Sequence, residues 1–138
     1  MKKYVSNSAA ETEKIGAEFA KTLNSGKVVA FYGDLGAGKT AFIRGMANGF
    51  GLDAEVSSPT FAIVHEYGGS PLFCHFDMYR VDSWEDLYSS GFFDYIDMGA
   101  ILAVEWSENI ENALPEDTIR VEITKTDDEN QRIITITE

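Results

Sequence analysis

The chain carries little that would staple or anchor it. One cysteine, three prolines and two histidines occur in 138 residues. Cys74 alone cannot close an internal disulfide, and its neighbours in PLFCHF predict a buried thiol. The N-terminus, MKKYVSNSAAETEK, has two lysines but no apolar stretch behind them, so it does not read as a secretory leader. A single thiol without a leader fits a reducing cytoplasm. No apolar run approaches the roughly 20 residues of a membrane span. Positive charge is scarce too. Eleven basic residues face 23 acidic ones, for a net charge of −12. That field repels phosphate backbones and disfavours direct nucleic-acid binding, while permitting a basic protein partner. Internal repeats, low-complexity tracts and long linkers are absent.

What is present is ordinary for a globular chain: 44% hydrophobic and 25% charged residues, in a length that suits one domain around a single core. Residues Ser8–Leu23 read as a helix, because Ser8 and Glu11 form the S-x-x-E capping pattern and Ile15, Phe19 and Leu23 share one face. Lys27–Tyr32 (KVVAFY) and Ala100–Trp106 (AILAVEW) are nearly continuous apolar runs, the signature of buried strands in a parallel sheet. Thr40–Phe50 reads as a second helix. Phe61–Tyr67 and Leu72–Tyr79 predict a hairpin turned by Gly68-Gly69-Ser70-Pro71. A short helix is expected over Trp84–Ser90 and another brief turn or helix over Gly91–Met98. Thr118–Thr124 and Arg132–Thr137 alternate in polarity and predict a closing hairpin. Parallel-type strands with flanking helices, plus antiparallel hairpins, imply an α/β fold with a mixed parallel and antiparallel sheet.

Between the first strand and the second helix stands GDLGAGKT, Gly33–Thr40, a complete G-x-x-x-x-G-K-[ST] in its proper strand–loop–helix setting. Glycines allow such a loop to turn its N–H groups toward phosphate oxygens, and the helix start adds partial positive charge. Lys39 would reach the β- and γ-phosphates and Thr40 would place its hydroxyl on Mg²⁺. Asp34 within the loop is unusual, since an acid repels a triphosphate; it would face solvent or brace the loop.

Such a loop is normally completed by an acid at the C-terminal end of a neighbouring buried strand. Glu105 and Asp77 are the candidates. A carboxylate after five apolar residues, as at Glu105, is costly to bury unless paired or on a metal. Asp77, in HFDMYR, could instead pair with Arg80. Thr60, in SSPTF, stands where switch-type nucleotidases sense the γ-phosphate, or else in an ordinary loop. His75 and Asp77 alternate along one strand and so share a face; His75 and His65 read as structural. Trp106 and Tyr79 suit either a core or a binding face. Thr124-Lys125-Thr126-Asp127 matches the guanine-reading [NT]-K-x-D, but no D-x-x-G accompanies it, so it reads as a turn and adenine is the expected base.

Taken together, GDLGAGKT, SSPTF, HFDMYR and VEW closely resemble, in order and spacing, the TsaE (YjeE) family of small bacterial P-loop ATPases, over almost the whole chain. The resemblance implies a P-loop NTPase-like domain that binds ATP and Mg²⁺. It implies a role in forming N6-threonylcarbamoyladenosine at position 37 of tRNAs reading ANN codons. The chain would act on a TsaD–TsaB pair, meet tRNA only through that complex, and not transfer the group itself. By motif position, Asp34, Leu35, Gly36, Ala37, Gly38, Lys39 and Thr40 would cradle the nucleotide. Thr40, Glu105 and Asp77 would serve the metal, Thr60 the switch, and Trp106 the site or the partner face. Thr12 would lie near the nucleotide. With only four arginines and no lid, hydrolysis by the chain alone is expected to be slow.

Overall fold

Three apolar segments have no polar face to offer water, and each becomes an interior strand. They are β2 (Val28–Gly33), β4 (Phe73–Asp77) and β5 (Ile101–Glu105). A computed structural model describes residues 1–33, 36–53, 56 and 63–138. Within them one seven-stranded sheet runs β1-β7-β6-β2-β5-β4-β3, where β1 is Lys2–Ser6, β3 Val64–Gly68, β6 Ile119–Lys125 and β7 Arg132–Thr137. Pairings β6–β2, β2–β5 and β5–β4 are parallel, whereas β1–β7, β7–β6 and β3–β4 are antiparallel. This is the mixed α/β sheet expected of a P-loop NTPase-like chain.

Period-2 alternation splits the interior in two. Val29, Phe31, Phe73, Ile101 and Ala103 pack with Phe42, Ile43 and Met46 of α2 (Lys39–Gly49) and Phe19 of α1 (Ala9–Ala20). Val28, Cys74, Phe76, Leu102 and Val104 turn to the other face, against Leu87 of α3 (Trp84–Ser89), Phe92 of α4 (Phe92–Asp97) and Ile110. The expected single core is thus two clusters, one on each face of the sheet. Burial pushes the Cys74 thiol up to about 12, with the Glu66 carboxylate adding to the effect. The thiol is buried, as its neighbours predict.

Local chemistry places the helices. Ser8 Oγ accepts from Glu11 N–H at 3.1 Å, and Glu11 Oε2 accepts from Asn7 N–H at 2.6 Å. This reciprocal cap stabilises α1 by about 1 kcal/mol. The helix stops at Ala20 rather than Leu23, because the Thr22 hydroxyl takes the Phe19 carbonyl at 2.7 Å. Ser83 caps α3 through Asp86 N–H. Two elements have no sequence counterpart in the reading above. Strand β1 leaves Tyr4 and Val5 exposed and is held by its ladder to β7, and Ser107–Ala113 forms a short 3-10 helix. Among the described residues no helix is long and apolar enough to cross a membrane.

Helices α1 and α2 meet backbone to backbone. A Cβ on Gly45 would overlap the main chain of Glu13, while Arg44 Nη1 holds Glu13 Oε1 at 2.9 Å beside it. Gly45→Ala is therefore expected to cost about 1–3 kcal/mol through overpacking. Urea unfolding checks this: the midpoint should fall with the slope unchanged.

Candidate nucleotide and metal site

Four parallel strands point the same way, so their C-terminal ends share one edge of the sheet. Gly33 ends β2, Asp77 ends β4, Glu105 ends β5 and Lys125 ends β6. Ligands of open α/β sheets sit at that edge. Strand β7 runs antiparallel to β6 with Arg132 opposite Lys125, so Arg132 joins the same edge.

The glycine-rich loop springs from β2. Gly33, Gly36 and Gly38 have φ of 128°, 74° and 110°, a region that side chains disfavour. Gly38 is the N-cap of α2 and gives the first-turn amides no side-chain cap. Those amides and the helix dipole make an anion site. Lys39 Nζ donates to the Gly33 carbonyl at 3.1 Å, which holds the ammonium across the loop. Ala37 is fully buried and Thr40, in the first turn of α2, half-buried. Asp34 and Leu35 lie outside the described residues.

Three more side chains, from distant parts of the chain, lie beside the loop. Thr12 is buried, its Oγ1 2.7 Å from Ser6 Oγ, and its methyl would stand 4.0 Å from a Cβ on Gly38. Arg132 Nε donates to the Ala37 carbonyl at 3.1 Å. Lys125 Nζ lies 3.7 Å from where a Cβ on Gly36 would be. Thr12, which the family resemblance sets near the nucleotide, lies beside Gly38. Lys125 and Arg132 were not legible as neighbours of the loop, although Lys125 lies in the segment read above as a turn. Thr124 and Lys125 are in fact the last residues of β6, and the turn begins at Thr126: Asp128 N–H donates to Thr126 Oγ1 at 3.1 Å and Asn130 N–H to Asp128 Oδ1 at 2.9 Å.

Register brings the two acids together. Asp77 and Glu105 are direct cross-strand partners, and His75, two residues before Asp77, shares their face. Glu105 is only 6% exposed, and its Oε2 accepts from His75 Nε2 at 2.6 Å. Tyr67 Oη bonds the other ring nitrogen, His75 Nδ1, at 3.0 Å. Asp77 does not pair with Arg80 in the described residues; its Oδ1 accepts from Tyr79 N–H at 2.9 Å. Immediately after Glu105, Trp106 sits at φ 58°, ψ 39°, a left-handed backbone rare for a side-chain-bearing residue. Its ring packs 4.8 Å from that of Tyr79, and both are exposed. Trp106 is therefore at the site edge rather than in the core. Thr60 lies outside the described residues.

Comparison with known proteins fixes the lineage. The family described as "Threonylcarbamoyl adenosine biosynthesis protein TsaE" matches residues 6–134. The chain belongs to the TsaE family. A TsaE protein from Treponema pallidum is 36% identical over 94% of this chain and 96% of its own length. One from Bacillus subtilis is 42% identical over 87% of this chain and 73% of its own. The crystal structure of Bacillus subtilis YdiB superposes with a TM-score of 0.77 at 34% identity, covering 98% of this chain and 83% of that one.

In this TsaE-family chain the donor set suits a small hard cation. Thr40 offers a hydroxyl, and Glu105 and Asp77 offer carboxylates, all oxygen donors at one edge of the sheet. Among the described residues no three His, Cys, Asp or Glu side chains cluster to cage a metal on their own. Mg²⁺ is commonly bound in that way, by one or two protein oxygens with the rest from substrate phosphates and water.

Proposed function

We propose that the chain binds and hydrolyses ATP with Mg²⁺ in the cytoplasm. In doing so it serves the formation of N6-threonylcarbamoyladenosine at position 37 of tRNAs reading ANN codons, by acting on a TsaD–TsaB assembly. The observation that carries this reading is the juxtaposition at one sheet edge of an amide-lined loop, the Lys39 ammonium and the paired strand ends Asp77 and Glu105. Family membership supplies the pathway.

The loop amides and α2 dipole would take the phosphates, and Lys39 would leave the Gly33 carbonyl for the β- and γ-oxygens. Thr40, Glu105 and Asp77 would hold Mg²⁺, which when bound neutralises charge on those oxygens. Arg132 holds the loop in shape for this, Thr12 flanks it and Lys125 adds a cation at its rim. What is scarce is a mobile positive charge for the departing phosphoryl group. Arg44 pairs with Glu13 at 2.9 Å and Arg120 with Glu111 at 2.7 Å. Arg132 is engaged by the carbonyls of Ala37, Glu129 and Gln131, which among the described residues leaves exposed Arg80. Turnover by the isolated chain should therefore be slow, and partner contacts should speed it. Nucleotide state would set affinity for the assembly, and so time its association.

The test is ATP turnover by the chain with and without a TsaD–TsaB preparation. Stimulation of at least about tenfold is expected, since supplying one transition-state cation is worth that or more. Phosphate transfer to a small acceptor in excess of hydrolysis would instead mark a kinase. Absence of turnover even with the partners would reduce the chain to a binding module.

A further inference from the structure

We propose that His75 is a positioning residue for Glu105: a wholly buried imidazole, anchored from behind by the Tyr67 hydroxyl, that fixes the orientation of the carboxylate at the metal end of the loop. The inference rests on the reading of Glu105 as a metal-side acid, and deepens it.

His75 is fully buried on the face that also carries Phe73 and Ala103, where an apolar side chain would pack without desolvating any polar atom. It is kept polar, and both ring nitrogens are engaged. A carboxylate only accepts hydrogen bonds, so toward an ionised Glu105 the ring donates from Nε2, 2.6 Å from Oε2. The other ring nitrogen, Nδ1, lies 3.0 Å from the Tyr67 hydroxyl. The ring is thus held at both ends, by the hydroxyl at Nδ1 and by the carboxylate at Nε2.

The far anchor is placed by a fault in the sheet. Register between β3 and β4 shifts between Glu66 and Gly68, at Tyr67. A bulge of this kind re-aims a side chain. The Tyr67 ring accordingly lies against Phe73 and His75, at centroid distances of 5.7 and 6.0 Å. The result is a rigid line of polar contacts across three strands, β3 to β4 to β5, ending on Glu105. Groups that orient a metal ligand in this way typically change metal affinity about 10- to 100-fold when removed.

A histidine that merely fills space predicts something different, namely lost stability with an unaltered metal requirement. The experiment measures binding of a fluorescent non-hydrolysable ATP analogue to the full chain, in EDTA and in Mg²⁺, and takes the ratio of the two affinities. Glu105→Gln is the reference. His75→Phe should shrink the ratio about tenfold, while affinity in EDTA stays within about twofold. His75→Gln, whose amide nitrogen replaces Nε2–H, should recover most of it. Tyr67→Phe removes only one hydroxyl and tests the anchor without endangering the fold; it should shrink the ratio about two- to threefold. A folded His75→Phe, or Tyr67→Phe where the former does not fold, that keeps the wild-type ratio while Glu105→Gln loses it overturns the positioning role alone. So does a His75→Gln no better than His75→Phe. If Glu105→Gln itself keeps the ratio, the metal-side reading of Glu105 fails, and the role of His75 falls with it.

Discussion

Lys39→Ala is expected to weaken ATP binding by about 10- to 150-fold and to lower partner-stimulated kcat/KM by about three to five orders of magnitude. The first figure corresponds to losing one charge-assisted bond to phosphate, worth roughly 1.5–3 kcal/mol. The second adds the loss of a fixed cation where charge builds in the transition state, about 10²–10³ in rate. Stability should not fall, because Lys39 is not part of either core and alanine suits the first turn of α2. Removing the ammonium also frees the Gly33 carbonyl, which lies at the exposed strand end. Fluorescence titration with an ATP analogue, turnover with TsaD–TsaB and a thermal melt separate these effects. Unchanged analogue affinity in Lys39→Ala would mean that the loop is not the phosphate site.

The parts legible in the sequence are those whose signal is local. KVVAFY and AILAVEW announce interior strands because nothing in them can face water, and GDLGAGKT announces its loop because the glycines and lysine are contiguous. Capping of α1 was readable from Ser8 and Glu11. Strand β1 was not, because KKYVS turns most of its side chains to solvent and is bound by backbone ladder bonds to residues more than 120 positions away. Lys125 and Arg132 escaped for a related reason. Only the parallel register that sets Gly33 opposite Ile123 carries the end of β6 to the loop. His75 was read as structural, and it is buried; its contact with Tyr67 was not legible, because a one-residue shift in register leaves no trace in composition. Asp77 and Glu105 were found as separate strand ends; that they are direct neighbours is a property of the β4–β5 register alone.

That adjacency leads to the second large effect. Glu105→Gln is expected to retain ATP binding within about threefold in metal-free buffer, yet to lower partner-stimulated hydrolysis by about 10²–10³-fold. The substitution keeps volume, and its amide oxygen still accepts from His75 Nε2–H, so the buried contact at 2.6 Å survives and the fold should not suffer. What is lost is a negative charge, 6% exposed, next to the phosphate loop. Such a charge opposes the triphosphate; His75 holds it in place, and a cation between the carboxylate and the phosphates would offset the repulsion. Removing it should therefore leave phosphate binding by amides and Lys39 intact while depriving the metal of a ligand, so the loss appears in turnover and in the Mg²⁺ requirement. Asp77→Asn offers the internal comparison. Its Oδ1 is committed to the Tyr79 N–H, which an amide oxygen also accepts, and it is the less buried of the pair. A smaller loss, about tenfold, is expected on that ground. Equal losses in the two variants would mean that the carboxylates share the metal evenly, and a larger loss in Asp77→Asn would transfer the principal acid from β5 to β4.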